Sequence, residues 1–166
     1  MPVTEPVLME DCEIIFRNFE GREDEYNRKG ERNFCVILNP DQAKMMLEDG
    51  WNVKELRPRE EGDEPTPYLP VAVSFKVRPP RCVMITSRGR NTLSEDEVEL
   101  LDWVDVRLVD LMVRPYNWDV NGKSGTKAYL QSIYVTIEED PLELKYGVTD
   151  SDGAVDYDDE GDFANE

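Results

Sequence analysis

The side chains with most chemistry to offer are carboxylates: 37 Asp and Glu against 19 Lys and Arg, with no histidine anywhere in the 166 residues. Hard cations take oxygen ligands, so a magnesium-dependent nuclease is one reading of so many acids. The densest run, Glu95, Asp96, Glu97 and Glu99, has a structural account of its own. Ser94 with Glu97 three residues on reads as a capping box, and acids in a first helical turn suit the helix dipole. Without histidine the commonest general base is missing, as is every Ser-His or Cys-His nucleophile. Cys12, Cys35 and Cys82 are isolated, odd in number and outside Cys-x-x-Cys spacing. That argues against a disulfide framework or zinc site, and for a reducing cytoplasm. Asn121-Gly122-Lys123-Ser124-Gly125-Thr126 bears a faint likeness to a phosphate loop. It lacks the spacing, and it joins two strands where a phosphate loop needs a helix next. These residues support no enzyme, and neither a metal nor a cofactor is expected.

Basic and aromatic residues say more, because they interleave. Phe16, Arg17, Phe19, Arg22, Tyr26, Arg28, Lys29, Arg32 and Phe34 come first, then Phe75, Lys76, Arg78, Arg81, Arg88 and Arg90, then Arg107, Arg114, Tyr116, Trp118, Lys123 and Lys127. Positive charge lined with aromatic faces is how single-stranded nucleic acid is held, each stacked base contributing about 1–3 kcal/mol. Phosphates supply a salt-dependent remainder. Phe16, Phe34 and Phe75 fall at core-facing positions of strands, so core packing is their better reading. Phe19, Tyr26, Tyr116 and Trp118 lie at strand ends or in loops and stand open between stacking and packing. Arg88 and Arg90 flank Gly89 in a polar run suited to phosphate. Acids dilute the bases around Arg22, Arg28 and Lys29.

The net charge of −18 argues against a polyanionic partner until it is divided. Residues 148–166 hold eight acids and no base, leaving all 19 bases in residues 1–147. That terminus has almost no apolar periodicity with which to offset its ordering entropy, so it reads as a disordered acidic tail. Asp156, Tyr157, Asp158, Asp159, Glu160, Asp162 and Phe163 set two aromatics among acids, as a short partner-binding segment would. A solubilising terminus is the plainer reading of the same residues.

The elements that must position the basic and aromatic residues are short strands. Cys12 to Phe19, Arg32 to Leu38, Trp51 to Leu56, Tyr68 to Lys76 and Arg81 to Thr86 read as strands, and Val104 to Tyr116 with Thr126 to Glu138 as a hairpin about a Gly-rich tip. Asn39-Pro40-Asp41 opens a helix that ends at Gly50. Residues 59–67 are a polar Pro- and Gly-rich loop. The expected fold is mainly β (β-rich α+β), an OB-like barrel with one or two short helices over residues 1–147. An immunoglobulin-like sandwich competes, but it would not need the helices. No apolar run approaches the roughly 20 residues of a membrane helix, and the N-terminus lacks a signal-peptide pattern.

Three stretches carry a family resemblance: Ile15-Phe16-Arg17-Asn18-Phe19 through Arg32-Asn33-Phe34-Cys35-Val36, Pro79-Pro80-Arg81 through Thr86-Ser87-Arg88-Gly89-Arg90, and Asp102-Trp103-Val104-Asp105 through Asn117-Trp118-Asp119-Val120-Asn121-Gly122-Lys123. Across roughly residues 10–147 the chain resembles small single-stranded-DNA-binding proteins of tailed bacteriophages, particularly those of actinobacteria. The resemblance implies an OB-fold body joined to a flexible acidic tail that recruits replication or recombination proteins and competes with DNA. The tail departs from the pattern in that Ala164-Asn165-Glu166 follow Phe163. Together the two lines imply a non-enzymatic, sequence-independent protein of phage DNA replication or recombination, working in the host cytoplasm, a homodimer being one of its possible states. Its DNA contacts would be Arg17, Phe19, Tyr26, Arg78, Arg81, Arg88, Arg90, Arg114, Tyr116, Trp118, Lys123 and Lys127. The alternative is an acidic DNA mimic or host-protein binder, whose negative surface is itself the ligand.

Overall fold

The computed structural model describes residues 3–25, 27–58, 60–76, 78–142 and 145. Tyr26 and the tail residues 148–166 lie outside them. The strands are β1 (Val7–Met9), β2 (Ile14–Asn18), β3 (Arg32–Ile37), β4 (Lys54–Leu56), β5 (Thr66–Val73), β6 (Arg81–Thr86), β7 (Gly89–Leu93), β8 (Val106–Val120) and β9 (Lys123–Ile137). One α-helix, α1 (Pro40–Glu48), and a 3-10 helix, Val98–Asp102, complete the elements. The mainly β fold expected from the sequence is therefore what the chain adopts.

The strands form one sheet in the order β1-β8-β9-β5-β3-β2, with β4 on β5 and the β6–β7 hairpin attached through β6 to β9. β5 and β6 both run parallel to β9, at its Ala128–Tyr129 and Ser132–Thr136 stretches respectively. The two ends of the path, β1 and β2, are successive pieces of one N-terminal segment. Between them the Cys12 amide donates to Val109 O at 2.8 Å, and the Ile37 amide donates to Glu13 O at 2.9 Å. Adjacent residues thus bond to β8 on one side and β3 on the other, so the N-terminal segment links the two ends of the path.

Alternation explains what fills the core. Phe34 and Val36 of β3, Leu69, Val71 and Val73 of β5, Val109, Leu111 and Val113 of β8, and Ala128, Leu130, Ile133 and Val135 of β9 point inward and are buried. Pairing Val113 with Leu130 and Leu111 with Ile133 across a register shift keeps both strands in phase with the interior. Asn39 caps α1 as the sequence predicts: its side chain accepts from the Gln42 amide at 2.8 Å, and Gln42 returns the bond to the Asn39 amide. The helix buries Ala43 and Met46.

Several boundaries differ from expectation. β8 and β9 run to Val120 and from Lys123, so the turn is only Asn121-Gly122, both at positive φ, as a two-residue hairpin of paired 15-residue strands requires. Gly89 to Leu93, read as loop, is a strand pairing with β6. Ser94 and Glu97 close a turn ahead of a 3-10 helix in place of capping an α-helix. The Ser94 amide donates to Glu97 Oε1 at 2.9 Å, which holds that carboxyl below its usual range. Trp51, read as the start of a strand, is buried and bridges to Thr126.

Candidate nucleic-acid interface

The residues of β3, β5, β8 and β9 that do not point into the core lie on one continuous outer face. The pairing register places Arg114 opposite Tyr129, Tyr116 opposite Lys127 and Trp118 opposite Gly125 along the β8–β9 ribbon. Ala72 of β5 lies beside Tyr129, and Asn33 of β3 beside Ala72. At the other end of β9, Arg81 pairs with Ser132. From Asn33, Cys35 and Ile37 through Tyr68, Pro70 and Ala72 to Tyr129, Arg114, Tyr116 and Lys127, no outward position carries a carboxylate. Farther along the ribbon, Asp110 lies opposite Tyr134 and Asp119 opposite Ser124.

Tyr129 is the centre of the ribbon's face. The Arg114 guanidinium lies 5.6 Å from its ring centroid, Lys127 Nζ 5.2 Å, and the Tyr116 ring 5.8 Å away edge-on. The Arg114 guanidinium is held below its usual range, first by burial and then by the neighbouring positive charge of Arg78. Two guanidiniums close together without a carboxylate between them favour an anion. Arg22 forms ion pairs with Glu20 and Asp102, and Arg32 with Glu95. The ribbon's cations pair with none of these carboxylates.

Sequence-predicted residues therefore fall into groups. Arg78, Arg114, Tyr116 and Lys127 come together around Tyr129. Trp118 and Lys123 lie farther out, toward the tip of the ribbon, where Tyr116 to Val120 are all exposed. Arg81 and Arg90 continue the face past Ser132, with Arg90 5.7 Å from the Tyr134 ring. Arg88 is at the β6–β7 tip, apart from the rest. That tip is fastened by Glu139, which accepts from the Ser87 amide at 2.8 Å.

Two predicted contacts are corrected. Phe19 has no exposed surface and stacks on Phe34 at 5.1 Å between centroids, so it belongs to the core and has no face to offer a base. Arg17 is committed to the backbone: one guanidinium nitrogen donates to Leu101 O at 2.9 Å and Val104 O at 2.8 Å, tying β2 to the 3-10 helix. Beside it, Asp102, its side chain 1% exposed, accepts from the Phe19 amide at 2.7 Å and the Glu20 amide at 3.0 Å. This arrangement fixes the loop that follows β2.

Phe16 is the reverse case. It was assigned to the core by parity, yet it is 62% exposed, with φ of 53° and a register shift between Ile15 and Asn18. The irregularity turns Phe16 outward and lets Phe19 take the interior place. Sequence reasoning also missed Tyr129, Tyr68 and Tyr134, because alternation alone does not say which outward face is left uncovered. Trp103, 66% exposed beneath the Arg22 guanidinium, was likewise unmarked as a surface residue. Among the described residues no three Cys, Asp or Glu side chains gather as a metal site, and no helix is long and apolar enough to cross a membrane.

A family model described as "Putative phage ssDNA-binding domain" matches residues 2–164. No curated protein matches the sequence. Among solved structures, the single-stranded DNA-binding protein from bacteriophage Enc34 in complex with ssDNA is 12% identical, over 82% of this chain and 89% of that one, with a TM-score of 0.55. A second structure of the single-stranded DNA-binding protein from bacteriophage Enc34 is 13% identical, over 91% of this chain and 87% of that one, with a TM-score of 0.54. Its C-terminal truncation is 10% identical over 82% and 87%, with a TM-score of 0.53. At these identities the likeness is one of fold.

Proposed function

We propose that this chain, which belongs to the phage single-stranded-DNA-binding domain family, holds single-stranded DNA along the outer face of β9 without reading its sequence. The family is one of binding proteins, not of enzymes. The observation that carries the proposal is the cluster in which Arg114, Lys127 and Tyr116 surround Tyr129. Phosphates would meet Arg78, Arg81, Arg90, Arg114, Lys123 and Lys127, with Arg88 at the edge of reach. Bases would stack on Tyr116, Trp118 and Tyr129. A neutral-to-basic aromatic face of this kind favours DNA binding over a DNA mimic, whose acids would have to form the ligand surface themselves. The pairing order, with β5 parallel to β9 and the N-terminal segment closing the ring, supports reading the body as an OB-like barrel.

On this reading residues 148–166 act as an acidic competitor for the same face and, through Tyr157 and Phe163, as a contact for replication or recombination proteins in the host cytoplasm. The chain would serve phage DNA replication or recombination in either role. Full-length protein and a form ending at residue 147 are to be titrated against a fluorescent single-stranded 30-mer at several salt concentrations. The shorter form should bind more tightly, most visibly at low salt. Absence of salt-sensitive binding by the shorter form would overturn the proposal.

A further inference from the structure

Phe16 sits in a backbone conformation that side chains bearing a Cβ rarely adopt, at φ 53°, inside a strand. Strain of that kind persists only where the surroundings enforce it, and it gathers at functional sites. Here its result is to expose a phenyl ring that alternation would have buried. The ring meets Tyr68 edge-on, with centroids 6.3 Å apart and planes at 81°. Tyr68 is on the outer face of β5, between the buried side of Leu69 and the edge made by β4. Burial, and after it the nearby Cys35 thiol, raise the Tyr68 hydroxyl above its ordinary range, so this phenol stays neutral.

Cys35, Ile37 and Pro70 lie on the same face as the pair, and Lys54 of β4 stands opposite Tyr68, near enough to the Cys35 thiol to act on it. A ligand that seats here meets a flat apolar surface with the Lys54 ammonium at its edge. The face continues without a carboxylate from Tyr68 along β5 to Ala72, about 13 Å at the usual rise per residue, and Ala72 lies beside Tyr129. We infer that Phe16 and Tyr68 form a second base-stacking platform, which takes nucleobases of the same strand whose phosphates pass Arg114 and Lys127. This rests on the single-stranded-DNA reading above and extends it across the sheet from β9 to β2. The two platforms differ in character: the one at Tyr129 has cations over its ring, while at Phe16 two aromatic rings meet edge-on with Lys54 at their side.

Full-length wild type, Phe16→Gly, Phe16→Leu and Phe16→Tyr are to be titrated against a fluorescent single-stranded 30-mer, with urea unfolding of each. Glycine adopts φ 53° without strain, so Phe16→Gly should leave the urea midpoint unchanged or raised. Its affinity should nonetheless fall by about five- to a hundredfold, the range expected for one lost base stack, with the salt slope unchanged. Phe16→Leu, apolar but not aromatic, should lose affinity too, and Phe16→Tyr should keep it. If wild type binds and Phe16→Leu and Phe16→Gly bind equally well, the second platform is refuted while the DNA-binding reading stands. If neither full-length wild type nor the form ending at residue 147 binds, both fall. Photocrosslinking of a 5-iodouracil 30-mer gives an independent readout, since a crosslinked peptide spanning Phe16 supports the platform and crosslinks confined to β8 and β9 overturn it.

Discussion

Trp118 packs directly on the backbone of Gly125 across the β8–β9 ribbon, so closely that a Cβ on Gly125 would lie 2.8 Å from the indole ring. Nothing but hydrogen fits at position 125 while the indole stays where it is. Gly125→Ala should therefore push Trp118 off the ribbon. In a Trp103→Phe background, where Trp51 is buried, iodide should quench the remaining exposed tryptophan more strongly after the change. DNA affinity should fall with it, because the ring no longer presents a fixed face.

Stacking and charge should separate cleanly along the ribbon. Tyr116→Ala and Trp118→Ala should each cost about 1–3 kcal/mol of binding to a single-stranded oligonucleotide and leave its salt dependence alone. Arg114→Gln and Lys127→Gln should instead lower the slope of log affinity against log salt by about 0.7 each, the value for one lost phosphate on a single strand. Titrations at four salt concentrations distinguish the two behaviours.

Asp102 should matter to the fold and not to DNA. Its buried carboxylate serves the amides of Phe19 and Glu20, and hydrogen bonds to a charged group contribute about 1.5–3 kcal/mol each. Asp102→Ala should lower unfolding stability by roughly that much in urea, while affinity for DNA at a temperature where the variant is folded stays as in wild type.

The three thiols contribute stability that is lost at alkaline pH. Burial pushes Cys12 and Cys35 up to about 11 and Cys82 to about 12, from an ordinary 9.0. Above the ordinary value the unfolded chain loses these protons while the folded chain keeps them, so their contribution is full below pH 9 and declines as pH rises toward 11–12. Urea unfolding at pH 8, 9.5 and 10.5 should show the decline, and a variant with all three cysteines replaced by alanine should show less of it. At pH 8 a disulfide exchange reagent should react slowly with native protein and promptly once it is unfolded.

Much of this was legible from residue order. Alternation located β3, β5, β6, β8 and β9, the Asn39-Pro40 pair marked the start of α1, and residue order alone placed Arg114, Tyr116 and Lys127 on one hairpin. What escaped had physical causes. Alternation presumes an unbroken pleat, and the irregularity at Ile15–Asn18 reverses it, so Phe16 and Phe19 exchanged places. β7 has only one apolar residue, Leu93, and its pairing is supplied by β6, a tertiary fact that overrides local propensity. Tyr129 looked like any strand aromatic until the register set it between Arg114 and Lys127. Arg17 looked like a phosphate contact until two carbonyls at the end of the 3-10 helix claimed it.

Closure of the ring by Cys12 and Glu13 has a temporal consequence. The Cys12 amide finds its acceptor at Val109, and β1 finds its partner in β8, nearly a hundred residues later in the chain. Such distant pairings make for slow folding, because the entropy of bringing the ends together is lost before any contact rewards it. During synthesis the N-terminal segment must wait, with β2 and β3 able to pair early, until β8 and β9 have left the ribosome. The nascent chain accordingly gains the face that bears Arg114 and Tyr129 only once β8 and β9 have emerged, and the same ribbon brings the strand on which β1 and Cys12 close.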